Sequence, residues 1–566
     1  MKYSYSFFGV WQLAAFLLLC FAGSVARAQA PAWQMAVAAR GNESHITATA
    51  ADASGNVYVA GDFYGTLVLG NLTLTSVGDG DAFVAKWSTA TNSFIWARRA
   101  GGPGLDQAYG VAVSGANVYV AGSFVGAADF GTTTLTSSTA NYDAFVAKLT
   151  DVGPGTGFVW AQRVGGAGSD VIQGIAVSGA NVYVAGSFAG TADFGATTLV
   201  SAGGYDTFVA KLADAGPGAS FTWAERAGGP AAFEGATGVA VSGANVYVVG
   251  VFSGTAGFGA TALVGAGSDD AFVTKLTDAG TSASFVWAQR VGGAGYEFAR
   301  GVAVSGANVY MVGTFGGTLV LGPATLVCIG DLDAFVVRLT DAGPSASLTW
   351  ARRAGGAGSD NAYGVAVSGA DVYVVGDFLA TADFGATTLV SVGGQDAFVA
   401  KLTDVGPGTD FAWAQRAGGQ QVRSDGAYAV AVAGGNVYVA GTIRPPASFG
   451  PFTFATPTNT FVGFLASLRG SVLATRPAGP LASLSLWPNP ARAAAAVQVQ
   501  VPAVPGATRA TLTLLDALGR TVRTQRLALA VAGGRAEVSV AGLAPGLYRL
   551  LVQADGQQAN RALVVE

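Results

Sequence analysis

The residues with reactive side chains are few, and they restrict the chemistry that this chain can perform. Its 566 residues include one histidine, His45, and two cysteines, Cys20 and Cys328. Without a second histidine, no dyad, triad or multi-histidine metal site can be assembled from that residue type. Cys20 falls in an N-terminal apolar stretch, so Cys328 would be the only cysteine of a mature chain. That excludes an internal disulfide framework, and Cys328 is interpreted as a small apolar residue in a strand.

Pairs of carboxylates are the candidates for metal binding. They are Asp79 and Asp81, Asp269 and Asp270, and Asp331 and Asp333. Calcium takes ~6–8 oxygen ligands, and these spacings do not match an EF-hand loop. Because the second aspartate of each pair belongs to a repeated pattern, turn capping is the favoured role and calcium is the alternative. No other cofactor is expected.

A basic residue recurs at one equivalent position along the chain. These residues are Lys86, Lys148, Lys211, Lys275, Arg338 and Lys401. A ring of cations could bind an anionic polymer. Ion pairing with acidic residues that recur in the same way explains the pattern as well, and both interpretations stay open here.

Two further patterns look like nucleotide chemistry but are explained by the repeat. Asp129-Phe130-Gly131 mimics the magnesium motif of kinases and recurs at Asp193 and Asp383, yet no other kinase signature is present. The Gly-Gly-Ala-Gly-Ser-Asp turn at 165–170 looks like a phosphate loop. A phosphate loop opens a helix, whereas a strand follows here, so the turn is interpreted as an inter-blade connection that needs glycine.

Carboxylate-only catalysis, as in glycosidases, would need two acids on one face that break the repeat. The non-repeated polar residues are few: 42–45, Glu234, 296–297, 420–425 and 444–446. Glu43, Glu234 and Glu297 lie near an equivalent turn and are the best candidates for a specialised surface. Several carboxylates of raised pKa gathered in one pocket would favour an enzyme.

The elements that must position these residues are repeats. Three markers recur: the tyrosine of Asn-Val-Tyr-Val-Ala-Gly, a tryptophan that closes an aromatic-rich run, and the aspartate of Asp-Ala-Phe-Val-Ala-Lys. The tyrosines and the tryptophans each span 380 residues in six intervals, or about 63 residues per copy. The positions are Tyr58, Tyr119, Tyr183, Tyr247, Tyr310, Tyr373 and Tyr438; Trp33, Trp96, Trp160, Trp223, Trp287, Trp350 and Trp413; and Asp81, Asp143, Asp206, Asp270, Asp333, Asp396 and Asn459.

Each copy is predicted to contain four short strands rich in Val, Tyr, Phe and Trp, which in one copy span 174–178, 181–188, 206–212 and 221–226. No helical periodicity appears in the unit. Four-stranded units repeated seven times predict an all-β fold with a seven-bladed β-propeller. Since the chain starts with a tryptophan strand and the last copy lacks one, residues 31–38 should pair beside 459–467 and close the ring, leaving no open sheet edge.

The composition agrees with stacked sheets. Glycine makes up 83 of 566 residues, charged residues only 11%, and the mean hydropathy is +0.43. Around Tyr183 both faces of the strand are apolar, as expected where neighbouring sheets cover both faces. Past residue 23 no apolar run approaches the ~18–20 residues of a membrane-spanning helix. A net charge of −4 removes the electrostatic basis for nucleic-acid binding.

Residues 31–469 resemble the bacterial β-propeller repeats known as SBBP repeats. The resemblance rests on the Asn-Val-Tyr-Val-Ala-Gly strand, the Asp-Ala-Phe-Val-Ala-Lys strand and the tryptophan strand that runs into Gly-Gly-x-Gly-x-Asp. It implies the propeller architecture and nothing about activity, because one fold hosts unrelated functions.

A linker, 470–481, is predicted to separate the repeats from a second domain, 482–566. There apolar and polar residues alternate, as in Val497-Gln498-Val499-Gln500-Val501, which predicts about seven short strands in a small antiparallel, Ig-like β-sandwich. Its landmark residues are Pro488, Asn489, Pro490, Asp516, Gly519, Arg520, Gly546 and Tyr548. They resemble the type A C-terminal sorting domain of the type IX secretion system. That resemblance implies passage across the outer membrane of a Gram-negative bacterium by the type IX machinery, followed by release or surface attachment.

The N-terminus is predicted to be a signal peptide, 1–28. Lys2 supplies the positive charge, residues 7–23 the apolar core, and Ala26-Arg27-Ala28 the small residues at the cleavage site. The sequence therefore predicts an exported, non-catalytic propeller that binds an extracellular glycan or protein at or beyond the cell surface. The alternatives are a propeller-type polysaccharide hydrolase or lyase and a structural protein of a surface layer.

Overall fold

The computed structural model of the protein describes residues 30–566 except 231–232, 323, 421–423, 456–459, 470–483, 493–495, 505, 517–519, 531–532 and 556. The predicted signal peptide and linker, Asn459 and Gly519 lie outside the described residues. The chain divides into two compact units, Met1–Ser471 and Val472–Glu566. In the described residues the regular structure is β-strand apart from one short 3-10 helix, Gly153–Gly155. No helix in this part of the chain is long and apolar enough to cross a membrane.

The strands of the first unit follow one another in a regular order. They are β1 (Trp33–Ala38), β2 (Arg40–Gly41), β3 (Ser44–Ala51), β4 (Val57–Phe63), β5 (Thr66–Leu69), β6 (Leu72–Thr75), β7 (Asp81–Ser88), β8 (Ser93–Ala100), β9 (Gln107–Ser114), β10 (Asn117–Phe124), β11 (Ala127–Phe130), β12 (Thr133–Thr136), β13 (Asp143–Thr150), β14 (Gly157–Gly166), β15 (Val171–Ser178), β16 (Asn181–Phe194), β17 (Thr197–Asp214), β18 (Ala219–Ala227), β19 (Glu234–Ser242) and β20 (Asn245–Phe252). They continue with β21 (Thr255–Phe258), β22 (Thr261–Val264), β23 (Asp270–Asp278), β24 (Ala283–Gly293), β25 (Glu297–Ser305), β26 (Asn308–Phe315), β27 (Thr318–Leu321), β28 (Ala324–Val327), β29 (Asp333–Asp341), β30 (Ala346–Gly356), β31 (Asn361–Ser368), β32 (Asp371–Phe378), β33 (Thr381–Phe384), β34 (Thr387–Val390), β35 (Asp396–Thr403), β36 (Phe411–Gly419), β37 (Gly426–Ala433), β38 (Asn436–Ile443), β39 (Ala447–Phe449), β40 (Phe452–Phe454) and β41 (Val462–Arg469).

These strands form recurring four-stranded antiparallel sheets. In one sheet the order is β3-β4-β7-β8, and in another the same order is β31-β32-β35-β36. The first strands of successive sheets contact one another in the order β3, β9, β15, β19, β25, β31 and β37, and β37 contacts β3 again. The sheets therefore form a closed, propeller-like ring in which every first strand lies innermost.

The ring is closed by the N-terminal strand, as the order of the markers predicts. β1 pairs antiparallel with β41, and the same sheet continues through β38 to β37. The backbone N–H of Ala39 also donates to the Gly463 carbonyl at 2.8 Å. The last sheet thus takes its fourth strand from the beginning of the chain.

The register of this closure differs from the expected one by two residues. Trp33 pairs with Leu468, as Phe158 pairs with Leu149 in another sheet, and Met35 takes the place of the repeated tryptophan. The indole of Trp33 packs edge-on against the ring of Phe449 at 5.2 Å, the contact that phenylalanines make elsewhere in the ring. Packing over the outer hairpin, and not the tryptophan spacing, decides the register.

Each copy also contains an outer hairpin that the four-strand prediction omitted. It lies between the second and third strands of the sheet, as β11 and β12 do, and it pairs with the end of the preceding sheet through Gly101 and Asp129. Phe130 of Asp129-Phe130-Gly131 is buried against Phe145 and Phe158. This motif, which mimics the kinase one, is therefore part of the packing.

The second strand of each sheet is apolar on both faces and fully covered. All residues of Val57–Phe63 are buried, Asp62 included. The hydrophobic clusters lie between neighbouring sheets; one of them joins Ala121 and Val146 to Val182 and Phe208 of the next sheet. Burial of both faces is what permits a positive mean hydropathy without a membrane-spanning helix.

The second unit consists of two antiparallel sheets around its own core. Its strands are β42 (Ser485–Trp487), β43 (Ala496–Val501), β44 (Arg509–Leu515), β45 (Thr521–Ala528), β46 (Gly534–Ser539), β47 (Gly546–Ala554) and β48 (Gln557–Val565). The sheets have the orders β42-β43-β46 and β45-β44-β47-β48. Along β43 the valines are buried and the glutamines half-buried, so the predicted alternation is confirmed. Val499 and Leu550 belong to one hydrophobic cluster shared by both sheets.

Candidate ligand-binding site at the centre of the ring

The recurring cations are buried in ion pairs between neighbouring sheets. The Tyr183 hydroxyl and Lys211 Nζ each donate to Asp278 Oδ2 at 2.7 Å, and Trp223 Nε1 donates to Asp278 Oδ1 at 3.0 Å. The side chains of Lys211 and Asp278 are only 6% and 7% exposed. The equivalent aspartates of the other junctions are Asp151, Asp214, Asp341 and Asp404.

These ion pairs remove the cations from contact with an anionic polymer, so pairing within the fold is the interpretation that holds. Burial opposes ionisation of Asp151, but Lys86, Tyr58 and other donors outweigh it and lower the pKa of that carboxyl to about 2. Lys401 pairs at 2.8 Å with Asp371 of its own sheet, where other copies have Asn.

The carboxylates that lie together are not the ones adjacent in sequence. Asp81 and Asp106 are both buried, and they face each other across Gly101 from neighbouring sheets. Asp81 accepts from Arg99 Nη1 at 2.8 Å and from the Val77 N–H at 2.9 Å, so its predicted turn-capping role is confirmed. Burial, with the charge of Asp81, raises the pKa of Asp106 to about 7.

Every other junction of this kind repeats the same carboxyl pair. The members with a pKa raised to about 7 are Asp106, Asp170, Glu234, Glu297, Asp360 and Asp425. Glu234 and Glu297 are thus buried structural acids, and the expectation that they mark a specialised surface is wrong. Within the described residues, no group of three or more His, Cys, Asp and Glu side chains is arranged to hold a metal ion. Cys328 is a free, half-buried thiol beside a strand end.

The residues that vary from copy to copy lie on the innermost strands, around the centre of the propeller-like ring. Every first strand has a β-bulge at the same point, where one residue is left without a partner in the second strand. The bulged residues, which we call the bulge ring, are Thr47, Tyr109, Gln173, Thr237, Arg300, Tyr363 and Tyr428. A bulge re-aims a side chain away from the regular pleat, and bulges are frequent at functional sites.

Sequence reasoning missed the bulge ring because it searched for what the copies share. The residue before each bulge is Ala or Ile and the residue after it is Gly or Ala, whereas the bulged residue changes from copy to copy. That single variable position inside an otherwise constant strand was the one sequence feature that pointed to the bulge ring. A bulge is defined by its partner strand, so the sequence alone did not identify it.

One side of the bulge ring is aromatic. The rings of Tyr363 and Tyr428 meet edge-on at 5.2 Å. The guanidinium of Arg300 lies 4.2 Å from the ring centre of Phe298 and 5.4 Å from that of Tyr363. Asn361, at the start of the same first strand as Tyr363, accepts at 3.0 Å from Thr314 Oγ1 of the neighbouring sheet. Hydrogen bonds and ring contacts thus hold this side in one arrangement.

Asp377 is the buried acceptor beneath this aromatic side. Asn361 Nδ2 donates to it at 2.8 Å, the Tyr363 hydroxyl at 3.0 Å and Gln395 Nε2 at 3.3 Å. Burial raises the pKa of Asp377 to about 6, although the hydrogen bonds from Asn361 and Tyr363 and the charge of Arg300 lower it. Both carboxylate oxygens are therefore occupied by protein donors.

The only histidine lies in the β3 sheet, which is the neighbour of the β37 sheet and therefore of Tyr428. His45 Nδ1 lies 3.0 Å from Asp62 Oδ2, and His45 Nε2 lies 3.5 Å from Glu43 Oε1. His45 pairs with Asp62 across the strands as Asn361 pairs with Asp377. Burial opposes protonation of the imidazole, but the hydrogen bond and charge of Asp62 outweigh it, so the pKa of His45 is raised.

In the second unit the landmark residues hold turns and the chain end. Asn489 Oδ1 accepts from the Val564 N–H at 2.9 Å, and Asp516 accepts from the Arg520 N–H at 2.9 Å and from Arg520 Nε at 2.8 Å. The Tyr548 hydroxyl donates to the Ala544 carbonyl at 2.9 Å. Pro488 and Pro490 follow cis peptide bonds, and Gly546 begins β47.

Residues 485–566 match the family described as "Secretion system C-terminal sorting domain". The match confirms the prediction of a type IX sorting domain, so this protein is exported through that secretion system to the cell surface or the extracellular space.

Among solved structures, the chain is similar to quinohemoprotein alcohol dehydrogenase from Comamonas testosteroni, at 11% identity over 80% of this chain and 79% of that chain, with a TM-score of 0.35. It is also similar to Trypanosoma rangeli sialidase, at 10% identity over 80% of this chain and 83% of that chain, with a TM-score of 0.29. At these TM-scores the likeness carries no conclusion about this chain. No curated protein matches the sequence.

Proposed function

We propose that this protein is an exported, non-catalytic, seven-bladed β-propeller of the SBBP repeat type that binds an extracellular glycan or protein through the bulge ring. A signal peptide at 1–28 delivers it to the periplasm, and the sorting domain then carries it across the outer membrane. What supports the seven blades is the agreement between the three sequence markers and the cyclic contacts of the first strands. The Ig-like character of the tail rests on its two antiparallel sheets.

The binding role is supported by the positions at which the copies of the repeat differ from one another. The positions of the interblade ion pairs are nearly constant, whereas the bulge ring holds Tyr, Gln, Arg and Thr at equivalent points. Ligand sites combine aromatic surface with a few convergent polar groups, and the ring has both in Tyr363, Tyr428, Arg300 and Gln173. A fold built from copies gains specificity at the positions that are not copied.

The rival enzyme, a polysaccharide hydrolase or lyase, would need paired carboxylates at one point. The carboxyl pairs that the described residues do form, such as Asp81 with Asp106, are buried between the sheets, recur from junction to junction and do not belong to the bulge ring. Asp377 has both oxygens hydrogen-bonded to protein donors. This distribution supports binding without catalysis.

A surface-layer role is the second candidate, and one observation favours it. A valine at the end of the outer hairpin is exposed in four consecutive copies: Val200 by 62%, Val264 by 65%, Val327 by 57% and Val390 by 59%. An exposed valine that recurs on the outer strand of successive hairpins suits lateral self-association. Ordered assembly of the purified protein, seen by light scattering and electron microscopy, would favour this role over ligand binding.

The test is a binding screen of the secreted protein on a glycan array and on whole cells. Substitutions Tyr363→Ala and Gln173→Ala should each weaken binding about tenfold or more, because a stacked ring or a satisfied polar contact contributes about 1–2 kcal/mol. Thr134→Ala, on an exposed outer hairpin, is the matched control and should leave binding unchanged. Binding that ignores both ring substitutions would rule out the bulge ring as the site.

A further inference from the structure

Arg300 is the one bulge-ring residue with a formal charge, and it is held firmly. Its guanidinium stacks on Phe298 at 4.2 Å and approaches Tyr363 at 5.4 Å, both measured to the ring centres. Phe298 lies in the same strand, and Tyr363 is the bulged residue of the next sheet. Aromatic contacts on a guanidinium stabilise the cation and leave its edge, where the N–H donors lie, available.

The same guanidinium has no acceptor of its own. Among the described residues no ion pair or hydrogen bond of Arg300 is found, and its Nε atom is buried without a partner. Buried donors are normally satisfied, so an orphan of this kind requires an explanation. The contrast with Lys211 and Lys275 is direct, because each of those cations faces an aspartate at 2.7 Å.

The nearby acid does not fill this role. Asp377 already accepts from Asn361, Tyr363 and Gln395, and it forms no ion pair with Arg300 within the part of the chain that the structure describes. The charge of Arg300 lowers the pKa of Asp377, but among the described residues its guanidinium lacks the direct carboxylate partner that Lys211 has in Asp278. A ligand can supply it.

We propose that Arg300 receives the anionic group of an acidic polysaccharide, the carboxylate of a uronate or a sulfate ester. This inference rests on the proposed function, in which the bulge ring is the binding site. The rings of Tyr363 and Tyr428 offer surface for the C–H face of a sugar, and Gln173, which is exposed, offers an amide for its hydroxyls. An anion on a planar guanidinium is bound by two parallel hydrogen bonds, so the charge fixes the orientation of the sugar.

The experiment measures binding of the full-length secreted protein to polygalacturonate, to a sulfated galactan and to a neutral galactan by calorimetry. Arg300→Gln should weaken binding of the anionic polymer by about 10- to 100-fold, the loss expected for a hydrogen bond to a charged group. Arg300→Lys should recover part of it, since lysine keeps the charge but not the fork. Arg40→Gln removes an exposed arginine outside the bulge ring and should change nothing. Thermal unfolding checks that each variant is folded.

The outcomes separate this inference from the function on which it rests. Preference for either anionic polymer that depends on Arg300 supports it, and the polymer that is preferred identifies carboxylate or sulfate. Equal binding of neutral and anionic polymers, or an Arg300→Gln variant that binds like the parent protein, overturns it. If Tyr363→Ala still weakens binding in that case, the bulge ring remains the site and only the ligand class is wrong. Binding of an acidic peptide but of no glycan overturns it as well.

Discussion

Each junction of the Asp81/Asp106 type buries two carboxyl groups side by side, and a glycine makes room for them. A Cβ atom on Gly101 would lie 2.7 Å from Asp81 Oδ1 and 2.7 Å from Asp106 Oδ2, and the glycine φ of +149° is one that other residues rarely adopt. Arg99 offsets only one of the two charges. Burial and the charge of Asp81 both disfavour a second buried carboxylate beside a single cation, and they raise the pKa of Asp106 to about 7.

This arrangement predicts that the propeller is most stable in mild acid. A carboxyl with an unfolded pKa of about 3.9 and a folded pKa of about 7 holds its proton in the folded state only. Its contribution is complete below the unfolded pKa and is lost as the pH rises through the folded one. Asp106→Asn, which mimics the protonated acid, should therefore stabilise the protein at pH 8 by on the order of 1–3 kcal/mol and have little effect at pH 4.5.

Urea unfolding at the two pH values measures this difference. The matched control is Asp383→Asn, an outer-hairpin aspartate that is exposed, bonded to Thr388 and not part of a carboxyl pair. Equal effects of Asp106→Asn at both pH values would mean that the pKa of Asp106 is not raised in the folded protein.

At the scale of single residues, the sequence predicted where the repeated side chains lie but not which side chains they pair with. The repeated Lys, Tyr and Trp were visible, but Lys86 finds its carboxylate in Asp151, 65 residues away in the next copy. Only the closed ring brings the two together. Glu234 and Glu297 looked irregular because Glu replaces Asp there, although their burial is the same as that of Asp106.

At the scale of elements, the closure places the sheet of β41 beside the β3 sheet, and this is one of the junctions at which the ion-pair network is absent. Tyr438 is retained, but Ser467 stands for the lysine, Met35 for the tryptophan, and Thr89 for the aspartate of the next sheet. The smaller side chains leave a cleft of about 450 Å³ that Tyr438, Ser467 and Thr89 help to line. Both charged members of the ion pair, the lysine and the aspartate, are replaced by uncharged residues here, so neither leaves a buried charge without a partner.

Rebuilding the network at this closure is a direct test of its energetics. Thr89→Asp alone should destabilise the protein by about 1–3 kcal/mol, because it places a carboxylate in a half-buried site without a cation. Adding Ser467→Lys should recover that loss, with a favourable coupling of about 1–3 kcal/mol between the two residues. A double-mutant cycle by chemical unfolding measures the coupling. Additive effects would mean that β41 and the β3 sheet do not meet as they do at the other junctions.

The strands that were predicted and those that were missed differ in length and composition. Long runs of Val, Tyr and Phe, such as β10 and β13, are unambiguous. Most outer hairpins have short strands, such as Ala127–Phe130 and Thr133–Thr136, which contain threonine and alanine, and their sequence resembles a loop. The bulges were missed for a different reason: they are visible only against the partner strand.

At the scale of the whole molecule, the ring was predictable and the site was not. The order of three markers was enough to place β1 beside β41, because a copy without its fourth strand must borrow one. The bulge ring takes one residue from each of the innermost strands, and consecutive members, such as Tyr109 and Gln173, are 64 residues apart in the chain. No local pattern connects residues that only closure brings together.

The division into two compact units predicts that export and folding of the ring are separable. Deleting 482–566 removes the sorting domain but no residue of the propeller core, so the truncated protein should fold, cross the inner membrane and remain in the periplasm. Cell fractionation and protease accessibility on intact cells measure the position of the truncated protein.

Asp516→Asn is a milder change to the sorting domain. It weakens the ion pair with Arg520, whose side chain is 74% exposed, and an exposed pair contributes about 0–1 kcal/mol to stability. That variant should stay folded, so a block of export would assign recognition to the contact between Asp516 and Arg520. Normal surface delivery of the truncated protein would contradict the sorting role of the tail.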